Sequence, residues 1–214
     1  MGELKLKRKL FRMVGLIYPI IYCLGDLAGD SWGWIAAVAA VVVCLLIMIG
    51  VEYARFTRAG VNRWVFSHLG SFTKEKERAR LSSTTLFLAS CLVTILVFNK
   101  PIAIASILML VFGDPVAEIV GTRWGRTPLL SKSLEGTLAG LTACLLVAPL
   151  ARLAPPGLSL PAMVLGALAA TLAELLPWPV DDNLVIPLAA GAAMTAVSGA
   201  GLSPLLSGLP VAAP

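Results

Sequence analysis

Charge is scarce in this sequence. Asp, Glu, Lys and Arg make up 14% of its 214 residues, hydrophobic residues 58%, and the mean hydropathy is +0.88. That scarcity excludes a soluble domain with a solvated surface and fits an integral membrane protein. Cysteines are few: Cys23, Cys44, Cys91 and Cys144 all lie in apolar stretches, and none is spaced as CxxC. Neither a disulfide framework nor a zinc site follows; buried free thiols do. The one histidine, His68, lies in a charged stretch and reads as solvated. No internal repeat stands out. There is no Walker A loop either, because Ser131 rather than glycine precedes Lys132 and the context is helical.

What is present is a series of apolar runs. Seven can be picked out, at about 11–25, 32–53, 82–99, 101–121, 134–152, 160–176 and 184–201. Most approach the ~20 residues that cross a hydrocarbon core at ~1.5 Å rise per residue. The pattern predicts an all-α fold, a polytopic membrane helical bundle of about seven transmembrane helices. It forms one domain over 1–202, followed by a tail at 203–214, with no room for a separate soluble domain. The first run, behind basic residues, could imitate a secretory signal. Pro19 interrupts it, however, and no small-x-small site follows before Trp32, so it reads as a retained helix.

The net charge of +5 follows the membrane and does not signal nucleic acid. Lys5, Lys7, Arg8, Lys9 and Arg12 precede the first run. Seven more basic residues lie between the second and third, and Arg123, Arg126 and Lys132 lie between the fourth and fifth. Of the seventeen, only Lys100 and Arg152 fall on the other side. The bias puts the N-terminus in the cytoplasm, implies an odd number of crossings, and brings 113–136 and 174–183 to one membrane face. Segment 54–80 is then a cytoplasmic connection, read either as an interfacial amphipathic helix or as a solvated loop held near anionic lipid.

The segment GDPVAEIVGTRWGRTPLLSKSLEG, at 113–136, carries the chemistry. A charged side chain at the centre of a membrane helix costs roughly 2.5–3.5 kcal/mol on insertion scales, so acids kept there usually handle a ligand, an ion or a proton. Asp114 and Glu118, at i and i+4, share one helix face and repel unless something positive joins them. Mg²⁺ with a phosphate is the economical partner; an ion pair with Lys100, Arg123 or Lys132 is the bland alternative. Gly121 and Gly125 flank Arg123, and Arg126 follows. That run reads as a flexible basic turn whose amides approach phosphate, as a plain helix stop, or, with Gly136 and Gly140, as GxxxG helix packing. Lys132 and Ser133 precede Glu135 and Gly136 at a helix start, an arrangement suited to phosphate, although Ser133 also reads as an ordinary N-cap. Further on, Glu174, Asp181, Asp182 and Asn183 are more polar groups than capping the last helix requires; Asp182 or Asn183 is the expected cap.

These strings resemble the signature of CTP-dependent lipid kinases: dolichol kinase, phytol and farnesol kinase, and the yeast-type diacylglycerol kinase. DDNLVIPL at 181–188 resembles the family's second signature, and Glu3-Leu4 with Lys7-Arg8-Lys9 resembles its N-terminal element. Members often carry a histidine shortly after that element, where this chain has Arg12. The resemblance implies transfer of the CTP γ-phosphate to a lipid alcohol drawn from the bilayer, at the cytoplasmic face. It implies Asp114, Glu118 and Lys132 as catalytic residues. Mg²⁺ is expected on Asp114, Glu118, Glu135, Asp181 and Asp182. Nucleotide phosphate is expected on Gly121, Arg123, Gly125, Arg126, Lys132, Ser133 and Gly136, with Asn183 completing the site. A CDP-lipid-forming cytidylyltransferase, or a small ion-coupled transporter using Asp114, Glu118 and Glu174, are the competing readings.

Overall fold

The computed structural model describes residues 13–24, 32–68, 80–153, 157–178 and 180–199. The N-terminal element with Arg12, the basic residues at 74–78 and the tail at 203–214 lie outside them. Among the described residues, apart from one two-stranded hairpin, the regular elements are helical. Helix α1 is Ile17–Leu24, α2 Trp32–Thr57, α3 Ala59–His68, α4 Ser83–Val97 and α5 Lys100–Trp124. Strands β1 (Pro128–Leu129) and β2 (Lys132–Ser133) follow, then α6 (Leu134–Val147), α7 (Leu160–Leu175) and α8 (Asp182–Ser198).

Local sequence explains the boundaries. The 3-10 turn Met13–Leu16 leads into α1, and Pro19 falls in the first turn of that helix, where its missing N–H is not needed. Ser82 caps α4 by accepting from the Thr85 amide at 3.2 Å, and Asn99 caps α5 by accepting from Ile102 at 3.3 Å. The expected run at 134–152 divides: α6 ends at Val147 and continues as a 3-10 segment, Ala148–Leu153. Pro149 has no N–H for the Leu145 carbonyl, so the α-helical ladder stops there. The cap of α8 is Asp181, whose carboxylate accepts from the Asn183 amide at 3.0 Å. Asp182 and Asn183, the expected caps, stand inside the helix.

Helix α5 is the axis of the bundle. It packs against α4, α6, α7 and α8, and its residues from Pro101 to Val111 are buried on every side. A helix apolar all round belongs inside a protein or a membrane. Helix α2 is the opposite case: it is the most apolar of the three helices long enough to cross a membrane, yet Val43, Leu46 and Ile47 face outward at 56%, 62% and 61% exposure. Such an uninterrupted outward apolar face has no place in water. Gly33–Thr57, Lys100–Trp124 and Leu134–Arg152 are each long and apolar enough to cross a membrane; α4, α7 and α8 are apolar but shorter.

Between α2 and α4 sits a polar lock. Glu52, almost fully buried, accepts from the Ser82 amide at 3.0 Å, the Thr85 hydroxyl at 3.3 Å and the Arg55 guanidinium at 3.2 Å. Arg55 also donates to the Arg80 carbonyl at 3.3 Å and lies over the Phe56 and Phe66 rings. The charged connection is thereby anchored at both ends. Within it, residues 59–68 are helical and Trp64 is outward.

Candidate functional site

The polar residues of α5 come together with the loop that follows it. Asp114 and Glu118 lie one turn apart, with Ala117 beside them, and all three line a cavity of about 400 Å³. Asp114 is buried and Glu118 half-buried. Pro115 follows Asp114 inside the helix and removes the amide that would bond the Val111 carbonyl, a local loosening next to the acid. The opposite wall comes from Ser131, Lys132, Ser133, Gly136 and Thr137, and the floor includes Glu174 and Asp182.

The β1–β2 hairpin sets the position of Lys132. Pro128 pairs with Ser133 and Leu129 with Lys132, leaving Leu130 and Ser131 as the turn. Leu130 carries φ 53°, a left-handed conformation that costs a branched residue roughly 1–2 kcal/mol. Glu135 fastens the base of this loop, accepting from the Arg126 amide and the Thr127 amide, each at 3.1 Å. Ser133 caps α6 through the Gly136 amide at 3.2 Å.

Lys132 then reaches across the cavity. Its ammonium is hydrogen-bonded to the Glu174 carboxylate, with Asp182 at 3.6 Å. Residues 42 and 50 positions further along the chain therefore close on one cation, and segments 113–136 and 174–183 form a single site. Glu174 is absent from the site residues that the kinase resemblance implies and enters only the transporter reading, yet it lines this cavity. It is buried at 6% exposure at the end of α7. The signal was an acid at the end of an apolar run, the same signal that drew notice to Asp114.

The glycines have a packing role. A Cβ on Gly136 would stand 2.6 Å from the Ala117 carbonyl oxygen and 2.9 Å from the Gly121 Cα, so α5 and α6 cross backbone to backbone there. A Cβ on Gly140 would meet the Ala117 Cβ at 2.8 Å. Two of the three readings offered above have contacts to support them: Gly125 ends α5, its amide bonded to the Gly121 carbonyl at 3.1 Å, and Gly121, Gly136 and Gly140 stand at a close helix crossing. Gly121 and Gly136 nevertheless line the cavity.

Six of the expected residues stand outside the cavity lining. Arg123 lies over the Trp124 ring, 5.1 Å from its centroid. Arg126 and Gly125 are exposed at the end of α5. Glu135 is engaged by the loop amides, and Asp181 caps α8. Asn183, at 1% exposure, bonds Asp181 and the Ser83 carbonyl, joining α8 to α4.

The chain is 28% identical over 152 residues to CTP-dependent diacylglycerol kinase 1 of Schizosaccharomyces pombe. That covers 64% of this chain and 70% of the yeast protein. It is also 23% identical over 188 residues to an uncharacterized protein of Rickettsia prowazekii, covering 85% and 89% of the two chains. No family model matches the sequence, and no solved structure matches it.

The donor set can be weighed for Mg²⁺. Among the described residues, no three His, Cys, Asp or Glu side chains close on one point. Mg²⁺ is usually held by one or two carboxylates, with phosphate oxygens and water completing the shell. Asp114 and Glu118, one turn apart at a cavity that also presents a lysine, suit that second arrangement: a metal arriving with a nucleotide phosphate.

Proposed function

We propose that this protein is a membrane-embedded kinase that transfers the γ-phosphate of CTP to the hydroxyl of a lipid alcohol. The observation that carries the reading is the shared cavity: two acids from α5, a lysine on a strained hairpin, and two further acids from α7 and α8. The likeness to a CTP-dependent diacylglycerol kinase supports both the donor and the class of acceptor. The resemblance of 113–136 and 181–188 to the lipid-kinase signatures points the same way.

Phosphoryl transfer asks for positioning and charge neutralisation more than for covalent chemistry. In this reading Asp114 and Glu118 hold Mg²⁺ or orient the acceptor hydroxyl, and Asp182 faces the same space. When bound, Mg²⁺ would neutralise the charge developing on the β- and γ-phosphate oxygens. Lys132 takes phosphate in place of Glu174, and the start of α6 lends the positive end of the helix dipole. Glu135 holds the loop that carries Lys132. Arg123 and Arg126, outside the cavity, contribute longer-range charge at its mouth. Seven crossings, with the N-terminus and this cavity at the cytoplasmic face, are the arrangement that the seven apolar runs and the bias of the basic residues support. Helix α3 then lies along the interface.

The test is a panel. Purified protein in micelles with Mg²⁺ is given CTP, ATP, GTP or UTP together with a polyprenol, phytol, farnesol or diacylglycerol. CDP should form with at least one alcohol and only when alcohol is present. Nucleotide consumption indifferent to every alcohol would overturn the assignment.

A further inference from the structure

The charges that line the cavity are unequal. Asp114, Glu118, Glu174 and Asp182 bring four carboxylates, and among the described residues Lys132 is the one basic group in the lining. Lys132 serves two of the four: its ammonium is bonded to Glu174 and stands 3.6 Å from Asp182. Those two differ in their access to water. The Asp182 side chain is 43% exposed and that of Glu174 8%. Beneath Glu174 the protein is closed, since the void it borders there holds about 10 Å³. The donors in that wall are engaged elsewhere. The Cys144 thiol is turned to the Met109 carbonyl at 3.7 Å, and the Thr171 hydroxyl donates to the Ala167 carbonyl at 2.8 Å.

A nucleotide phosphate and Glu174 therefore compete for one ammonium. When phosphate takes it, Asp182 can turn to water and Glu174 cannot. A buried carboxylate stripped of its cation is strongly destabilising, so the filled cavity needs a new donor at Glu174. The acceptor in the kinase reading brings one, its hydroxyl. A hydrogen bond from that hydroxyl satisfies the carboxylate, and passage of the proton onto it removes the buried charge. Asp114 and Glu118 stand one turn apart on a single helix, which suits them to the metal and phosphate side. Glu174 comes from another helix and is held by the lysine that phosphate claims.

We infer that Glu174 is a catalytic residue: released from Lys132 by the incoming CTP phosphate, its carboxylate receives the acceptor hydroxyl and takes its proton. The inference rests on the kinase reading and deepens it. The hydroxyl proton passes to the Glu174 carboxylate as the alcohol oxygen bonds to the γ-phosphorus. The bond from that phosphorus to the β,γ-bridging oxygen breaks, and its electron pair leaves on CDP. The proton then passes to water through the cavity, and Lys132 returns to the carboxylate. Nucleotide and alcohol thereby favour each other's binding, because the first frees the group that the second needs.

Two measurements test it. Glu174→Gln keeps the size of the side chain and an acceptor atom but cannot take a proton. Its kcat should fall at least a hundredfold, the low end of what a positioned base contributes. Its KM for CTP should stay within threefold or fall, because phosphate no longer competes with a carboxylate for Lys132. Glu174→Asp keeps the base and should recover at least tenfold in kcat over Glu174→Gln. The second measurement needs no turnover and can be made on the wild type. β,γ-Methylene-CTP, titrated calorimetrically into the protein in micelles, should bind at least tenfold tighter with farnesol or dioleoylglycerol present, and Glu174→Gln should abolish that gain. Equal affinity with and without either alcohol overturns the inference. A wild type that moves γ-phosphate to an alcohol while Glu174→Gln does so within threefold removes Glu174 from the chemistry and leaves the kinase reading standing. A wild type that moves none to any alcohol sinks both.

Discussion

The Lys132–Glu174 pair joins two parts of the chain that hydropathy alone keeps separate, and a double-mutant cycle measures whether they meet. Lys132 is 28% exposed and Glu174 8% at the side chain, so the pair is neither a surface contact nor a fully buried one. Exposed pairs contribute about 0–1 kcal/mol, while removing one partner of a buried pair costs about 3–5 kcal/mol. Lys132→Met strands a buried carboxylate and should cost about 3 kcal/mol, toward the buried end of that range. Glu174→Gln leaves an ammonium that still has Asp182 at 3.6 Å, and should cost only about 1 kcal/mol. The double variant leaves only the 43%-exposed Asp182 without its cation and should cost about 2 kcal/mol, giving a coupling of about 2 kcal/mol. The assay is reversible unfolding by sodium dodecyl sulfate in mixed micelles, followed by far-UV circular dichroism. Costs that add to within about 0.5 kcal/mol would mean that the two side chains do not meet, and the cavity as described would not exist.

Asp114→Asn should abolish phosphoryl transfer while leaving expression and unfolding midpoint unchanged, and near-normal turnover would remove it from the site. Lys132→Ala should raise the KM for CTP and lower kcat together, read by steady-state kinetics. Glu135→Ala frees the Arg126 and Thr127 amides and loosens the hairpin; the KM for CTP should rise several-fold with kcat changed less than threefold, whereas a direct metal role would show as a collapse of kcat. Gly136→Ala sets a methyl against two backbone atoms, a strain of about 1–3 kcal/mol only partly offset by a helix-propensity gain of up to about 1 kcal/mol. Gly50→Ala meets nothing within 4 Å and should be neutral or stabilising in the same unfolding assay.

How much of this was legible in the sequence depended on how local the cause was. The central helix was visible as an apolar run, and Asp114 and Glu118 share a face by periodicity alone. Glu174 was visible as an acid but not as the partner of Lys132, because that contact depends on how α7 packs against α6. The hairpin at 128–133 left no signal: its turn uses Leu130 in a left-handed conformation where glycine or asparagine would have announced it. The Gly121–Arg126 run drew attention for its backbone freedom, yet at Gly121 and Gly136 the missing side chains are taken up by a helix crossing, which needs the second helix to be seen. The break in the fifth run follows from Pro149, a local cause that hydropathy overrides when helices are counted by apolar length. The Glu52–Arg55 lock is an i,i+3 pair whose burial only the fold reveals.

The central claim is that CTP gives up its terminal phosphate to a lipid hydroxyl in this cavity. The most direct measurement supplies purified protein and a lipid alcohol with CTP labelled either at the γ-phosphate or at the α-phosphate, and separates lipid products by thin-layer chromatography. The account predicts lipid carrying the γ label and never the α label, with the γ label lost in Asp114→Asn. Lipid carrying the α label would make the protein a CDP-lipid-forming enzyme, and an unlabelled lipid fraction with every acceptor would contradict the account outright.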